Sequence, residues 1–218
     1  MQGVRHTKVT IMQRFAAALS LCLFSTLLTA NQQTSAPQVS AQHTHQSPAA
    51  KTGGFDQTLF YQSINFHVTS ANVGSLNQLR IEPKGLKGDN KPIEKEIDGT
   101  VTGAEVADLN ADGSPEVYVY ATSAGSGSYG SLVAYAANKG KSLSEIHLPS
   151  LQDDAKAAKG YRGHDEFKIV ENSLVRRFPV YRDKDTNAQP TGGTRQIKYK
   201  LKAGEAGWVL KPTRTDNF

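Results

Sequence analysis

Two short stretches carry the residue types and spacings that could do chemistry. DLNADGSPE, residues 108–116, sets Asp108, Asn110 and Asp112 at alternate positions and follows them with Gly113 and Glu116. That is the oxygen-ligand spacing of a calcium loop, with the glycine at its sharp turn. Val119 stands where an EF-hand would place its bidentate glutamate, and a strand-like run follows in place of a helix. The same residues also suit a tight Asx-rich turn between two strands, and both readings stay open. GSGSYG, residues 125–130, spells G-x-G-x-x-G. Those glycines cradle a pyrophosphate only when a strand precedes them and a helix follows. Here SLVAYAAN follows, which reads as a second strand, so the dinucleotide reading is excluded. A hairpin tip of small polar residues around Tyr129 remains.

The rest of the catalytic search is thin. The chain has no H-E-x-x-H, no G-x-S-x-G and no P-loop lysine. His67 falls in a strand and reads as a packed or surface residue. His147 is isolated, and His164 in YRGHDE has Asp165 and Glu166 as candidate partners but no nucleophile. No spacing singles out a pair of carboxylates, so no catalytic residue is assigned, and a hydrolase would need carboxylates that converge in a cleft.

Period-2 alternation dominates the elements that must hold these stretches. RQIKYKLK places Ile197, Tyr199 and Leu201 on one face and Lys198, Lys200 and Lys202 on the other. LRIE and EFKI alternate likewise, and FYQSINFHV puts Phe60, Ile64, Phe66 and Val68 on one side of a single run. Such strands bury one face and solvate the other. EVYVYAT and SLVAYA are richer in apolar residues, as central strands are. FKIV–ENS–LVRRF and RQIKYKL–KAGEA–GWVL read as antiparallel hairpins. Only residues 150–161 resemble a helix, with Ser150 as its N-cap. Roughly eight to ten strands and at most one or two short helices predict an all-β fold, an antiparallel β-sandwich or barrel-like domain.

The first 30 residues read as a secretory signal peptide. Arg5, Lys8 and Arg14 precede a 14-residue apolar run, Phe15 to Leu28, that ends in small residues at Thr29 and Ala30. A bilayer span needs about 20 residues. Residues 31–54 have one bulky aliphatic residue, Val39, and read as a disordered linker in which His43 and His45 carry no assigned role. Residues 55–218 make the antiparallel β domain. Removal of the leader takes away Cys22, the single cysteine, and brings the net charge from +5 to +2. No disulfide or thiolate chemistry remains, and the charge is too small to argue for nucleic acid or a membrane surface.

Taken together, the acidic turn, the strand VYVY and the segment SAGSGSYGSLVAY resemble the bacterial periplasmic inhibitors of invertebrate-type (i-type) lysozyme, most closely over residues 105–136. The resemblance implies a periplasmic, non-enzymatic homodimer with a β-sandwich fold and a lysozyme as protein partner. It also implies that a Ser-Gly-x-Tyr loop enters the lysozyme cleft. Carried over, that loop is Ser126, Gly127, Ser128 at the variable position, and Tyr129. Lysozyme cleaves with one protonated and one ionised carboxyl group. A plug for its cleft should therefore be narrow, uncharged and able to donate and accept, which serine and tyrosine hydroxyls provide. Gly125, Gly127 and Gly130 are expected to supply left-handed backbone and a slim profile. The basic residues Arg176, Arg177 and Arg182 are the candidate flanking contacts. The alternative function is an exported calcium-binding β module, with Asp108, Asn110, Asp112 and Glu116 as ligands and a cell-envelope partner.

Overall fold

A computed structural model describes residues 53–218; the leader, the cysteine and most of the expected linker lie outside the described residues. The chain is all-β, as its alternation predicts. β1 (Phe55–Tyr61), β2 (Ile64–Ser70), β3 (Leu76–Lys84) and β4 (Ile93–Asp98) form an antiparallel four-stranded sheet in sequence order. β5 (Thr100–Ala107), β6 (Glu116–Thr122), β7 (Gly130–Asn138) and β8 (Ser142–His147) begin a second sheet. β9 (Glu166–Val170), β10 (Ser173–Pro179), β11 (Thr194–Ala203) and β12 (Trp208–Asn217) complete it. Its order is β5-β6-β7-β8-β12-β11-β10-β9. Every pairing is antiparallel except β8 with β12, which is parallel through Ile146–Trp208 and His147–Val209.

The β6–β7 hairpin explains why EVYVYAT and SLVAYA lack a polar face. Val117, Val119 and Ala121 of β6, with Val133, Tyr135 and Ala137 of β7, pack toward Phe66, Val68, Leu79 and Ile81 of the four-stranded sheet. Tyr118, Tyr120, Ala134 and Ala136 point the other way, toward Leu174, Phe178, Ile197, Tyr199 and Leu210. One hairpin thus serves two cores, and side chains alternating along a strand fill both. The eight-stranded sheet curls around the second core into a nearly closed barrel. At its seam a side chain replaces the missing backbone ladder. The Glu105 carboxylate on β5 accepts the Ile169 amide of β9 at 2.8 Å and the Tyr120 hydroxyl at 2.6 Å.

Twelve strands stand where eight to ten were expected. The extra ones include β4 and β8, whose sequences IEKEID and SLSEIH carry too few apolar residues to announce themselves. FYQSINFHV is not one strand. Gln62 takes φ +53 and reverses the chain between Tyr61 and Ile64, so Phe60 is 70% exposed while Leu59 enters the core. The 150–161 segment is also broken in two. Ser150 caps a 3-10 turn at Leu151–Asp153 by accepting the Gln152 amide. Asp154, extended at φ −116, then caps the single α-helical turn α1 (Ala155–Ala158). Among the described residues, no helix is long and apolar enough to cross a membrane.

Glu105→Ala leaves the Ile169 amide and the Tyr120 hydroxyl without their acceptor at the seam. It should cost about 1–3 kcal/mol in a urea unfolding titration and speed amide exchange along β9.

Candidate functional site

The GSGSYG stretch closes the β6–β7 hairpin. Gly130 opens β7, so a strand follows the glycines, as the rejection of a nucleotide site requires. The tip is internally bonded: the Ser123 amide donates to the Tyr129 carbonyl at 2.9 Å, the Tyr129 amide to the Ser123 hydroxyl at 3.0 Å, and the Ser128 amide to the Gly125 carbonyl at 2.9 Å. Ser126 is exposed at the apex, Tyr129 is 50% exposed, Ser128 is half-buried and Gly127 is buried.

A second segment, 161–165, lies beneath the tip and fixes it. The His164 amide donates to the Gly127 carbonyl at 2.7 Å, and the Gly130 amide donates to Asp165 Oδ2 at 2.9 Å. Gly127 and Gly130 act here through close approach, and none of Gly125, Gly127 and Gly130 takes the expected left-handed backbone; a Cβ on Gly125 would meet open space. Ser128, at φ +42, takes that conformation instead. A Cβ on Gly127 would sit 2.5 Å from the Tyr129 ring, and one on Gly130 2.6 Å from Asp165 Cβ. The facing Gly163, at φ +94, would put its Cβ 2.0 Å from the Gly127 carbonyl oxygen.

Asp165 is the hub of this support. Its side chain is fully buried and accepts from the Gly130 amide, from the Tyr161 hydroxyl at 2.5 Å and from Arg176 Nε at 2.7 Å. Arg176 donates again to the Tyr161 hydroxyl at 2.9 Å and lies over the rings of Tyr161, Phe167 and Phe178. Burial works against the guanidinium charge, but the Asp165 carboxylate outweighs it and holds the Arg176 pKa above its ordinary value. Burial, with the Asp165 hydrogen bond, raises the pKa of Tyr161. An edge-to-face aromatic chain runs from Tyr129 to Tyr161 at 5.7 Å and on to Phe178 at 4.8 Å, connecting the exposed ring to the barrel core.

These contacts revise two expectations. Arg176 is buried beneath the loop and cannot be a surface contact, whereas Arg177 and Arg182 are exposed. Asp165 is taken by Arg176 and Tyr161, not by His164, whose ring stands near Tyr181. The sequence reading missed Tyr161, Gly163 and Asp165 as loop partners. Their one signal was YRGHD, a compact run mixing a ring, a glycine and charges just ahead of β9. His67 pairs with Asp56 at 2.9 Å on a solvated strand face. His147 lines an open groove of about 680 Å³ beside β8 and β12, with Glu145 and Trp208.

The acidic turn brings ligand atoms of Asp108, Asp112 and Glu116 within 4.8 Å of one another. It is also a well-formed Asx turn. Asp108 accepts the Asp112 and Gly113 amides at 3.0 and 2.8 Å, Asn110 Oδ1 accepts the Asp112 amide at 3.0 Å, and Asp112 accepts the Ser114 amide at 2.8 Å. Glu116, only 1% exposed, accepts the Leu109 amide at 2.7 Å. Burial, reinforced by the charges of Asp108 and Asp112, pushes its pKa up to about 7 against the opposing Leu109 hydrogen bond.

With this geometry in place, comparison with known proteins gives one match. The protein-family model for periplasmic lysozyme inhibitors of I-type lysozyme matches residues 91–161. It runs through the acidic turn, β6, the glycine-serine tip and β7, and ends on Tyr161. The resemblance read over residues 105–136 is therefore borne out. No curated protein and no solved structure matches the chain.

Two outcomes follow from the buried charges. Asp165→Asn strands the Arg176 guanidinium and should cost about 3–5 kcal/mol in denaturant unfolding, with faster exchange of the Gly130 amide. Glu116 has a folded pKa above its unfolded one, so its contribution to stability is complete below about pH 4.5 and is lost as pH rises through about 7. Without added metal, the wild type should lose on the order of 3 kcal/mol relative to Glu116→Gln between pH 4 and pH 8, read from paired urea titrations.

Proposed function

We propose that this protein is a periplasmic lysozyme inhibitor, not an enzyme, that inserts its 126–129 loop into the active-site cleft of an i-type lysozyme. The family match over residues 91–161 supports the inhibitor class and the periplasmic location. The observation that carries the loop's role is the pairing of an exposed Ser126 and Tyr129 with a buried support that uses a charge pair to hold them. A loop already fixed in one shape loses less entropy on binding. The tip has no charged residue from Ala121 through Ala137, so nothing on it is repelled by the ionised carboxylate of a glycosidase or left as a buried unpaired charge. Ser126 offers a donor and an acceptor, and Tyr129 a hydroxyl on a rigid ring already held edge-to-face by Tyr161. Gly127 faces its own support and serves as a spacer. The resemblance also implies a homodimer, which sedimentation of the purified protein would test.

A second reading, a calcium-binding module with a cell-envelope partner, is favoured by the convergence of Asp108, Asp112 and Glu116. A bound divalent cation would keep Glu116 ionised. Under this reading, calcium raises the melting temperature and abolishes the stability loss described for Glu116 at pH 8.

The deciding assay measures lysis by invertebrate-, chicken- and goose-type lysozymes with added protein. Selective, stoichiometric inhibition of the invertebrate type is expected. Tyr129→Ala should weaken that inhibition at least about tenfold, or about 1.4 kcal/mol, with the fold retained and only a small fall in melting temperature from the lost Tyr161 contact. Full potency in that variant rules out loop insertion.

A further inference from the structure

The 123–129 tip is not alone at its end of the molecule. The base of the turn at 71–75, between β2 and β3, meets the base of the tip at Gly99, and two aliphatic side chains are exposed here, Val73 in the turn at 88% and Leu76 at the start of β3 at 61%. Neither packs in the cores. The turn beneath them is nonetheless held by an unusual share of side-chain hydrogen bonds. Asn72, at φ +52, pairs with Val101 in both directions, its amide donating to the carbonyl and its oxygen accepting the backbone N–H, each at 2.9 Å. Asn77, itself buried, accepts the Val73 amide at 2.9 Å and donates to the Gly74 and Gly99 carbonyls at 2.8 and 2.7 Å. The Gly99 amide returns a bond to Ser75 at 2.5 Å.

Gly99 connects this turn to the loop. At φ +95 its missing Cβ leaves room for the Thr122 carbonyl, 2.0 Å from where that Cβ would be, and for Ser123 Cα at 2.6 Å. Thr122 ends β6 and Ser123 begins the tip. The two tips therefore rise from the same junction, each anchored by buried polar groups and each displaying an apolar group in water.

We infer that Val73 and Leu76 form a second contact surface for the protein partner that takes the 126–129 loop, packing against an apolar rim beside that partner's cleft. This rests on the inhibitor reading above. A stable complex buries roughly 800 Å² on each partner, more than one seven-residue tip offers, and the turn that shares the Gly99 junction with the tip is the neighbouring source of further area. Exposed aliphatic groups on a rigid turn weaken solubility and contribute nothing to the cores, whereas in an interface they supply dry contact area.

The test compares wild type, Tyr129→Ala and the double variant Val73→Ser with Leu76→Ser in inhibition of an i-type lysozyme. Melting and sedimentation are run on each protein. The double variant should raise the inhibition constant at least about tenfold at an unchanged melting temperature. Unchanged potency in the double variant, with Tyr129→Ala impaired, overturns this surface and leaves the loop reading standing. Dissociation of a dimer with full inhibition assigns the patch to a second copy of the chain and also overturns it. A wild type inert toward the lysozyme overturns both readings together.

Discussion

The double burial of the β6–β7 hairpin is the constraint on which the rest of the structure depends. A hairpin with one wet face can shift or tilt against its neighbours. One whose two faces are packed into separate cores cannot move without disturbing both. Val119 and Tyr118 are adjacent in the chain yet belong to different cores, both almost wholly removed from water. The hairpin is therefore a fixed post between the four-stranded sheet and the barrel, and its tip is carried at a defined height. A loop carried there has its base set by core packing, so its own residues remain only to shape the end.

The support beneath the tip adds a different kind of specificity. Hydrophobic packing would accept many arrangements of similar volume. The Asp165–Arg176 pair accepts few, because a buried charge that loses its geometry is left uncompensated. Asp165 binds the first amide of β7, and Arg176 lies on β10 across the barrel, so a misplaced tip is felt on the far wall. Tyr161 joins the two, bonded to both charges while its ring supports Tyr129.

Much of this was legible in the sequence where the physical signal is local. Lys198, Lys200 and Lys202 alternating with Ile197, Tyr199 and Leu201 gave a half-buried strand, and the apolar runs of β6 and β7 gave the central pair. Ser150 was readable as a cap because capping is decided within three residues. The signal failed where partners are distant. Nothing in YRGHD says that its aspartate meets an arginine of β10, and Arg176 in LVRRF looks like a solvated strand charge until the fold brings Asp165 to it. Period counting also carried Phe60 across the Gln62 reversal, because a two-residue turn without glycine leaves no mark in hydrophobicity. The slimness expected of the loop glycines is used at Gly127 and Gly130, against the loop's own support, while their left-handed freedom is not used.

The parallel contact between β8 and β12 bears on how the chain can be assembled. Within β1–β4, β5–β8 and β9–β11 each strand pairs with the next in sequence, although residues 180–193 form a long connection between β10 and β11, so each group can form from strands near in the chain. The β5–β8 and β9–β11 groups meet in the ladder only through β12, whose match to β8 is two residue pairs spanning positions 146 and 208. Before Trp208 and Val209 pair with β8, no ladder contact joins the two groups, and Leu210 of β12 is missing from the second core. A chain delivered from its amino end would thus hold its β6–β7 tip above a half-built wall, and complete the second core only on arrival of its last strand. Closure of the barrel is a long-range pairing, and the wall that faces the tip is complete only with the last strand.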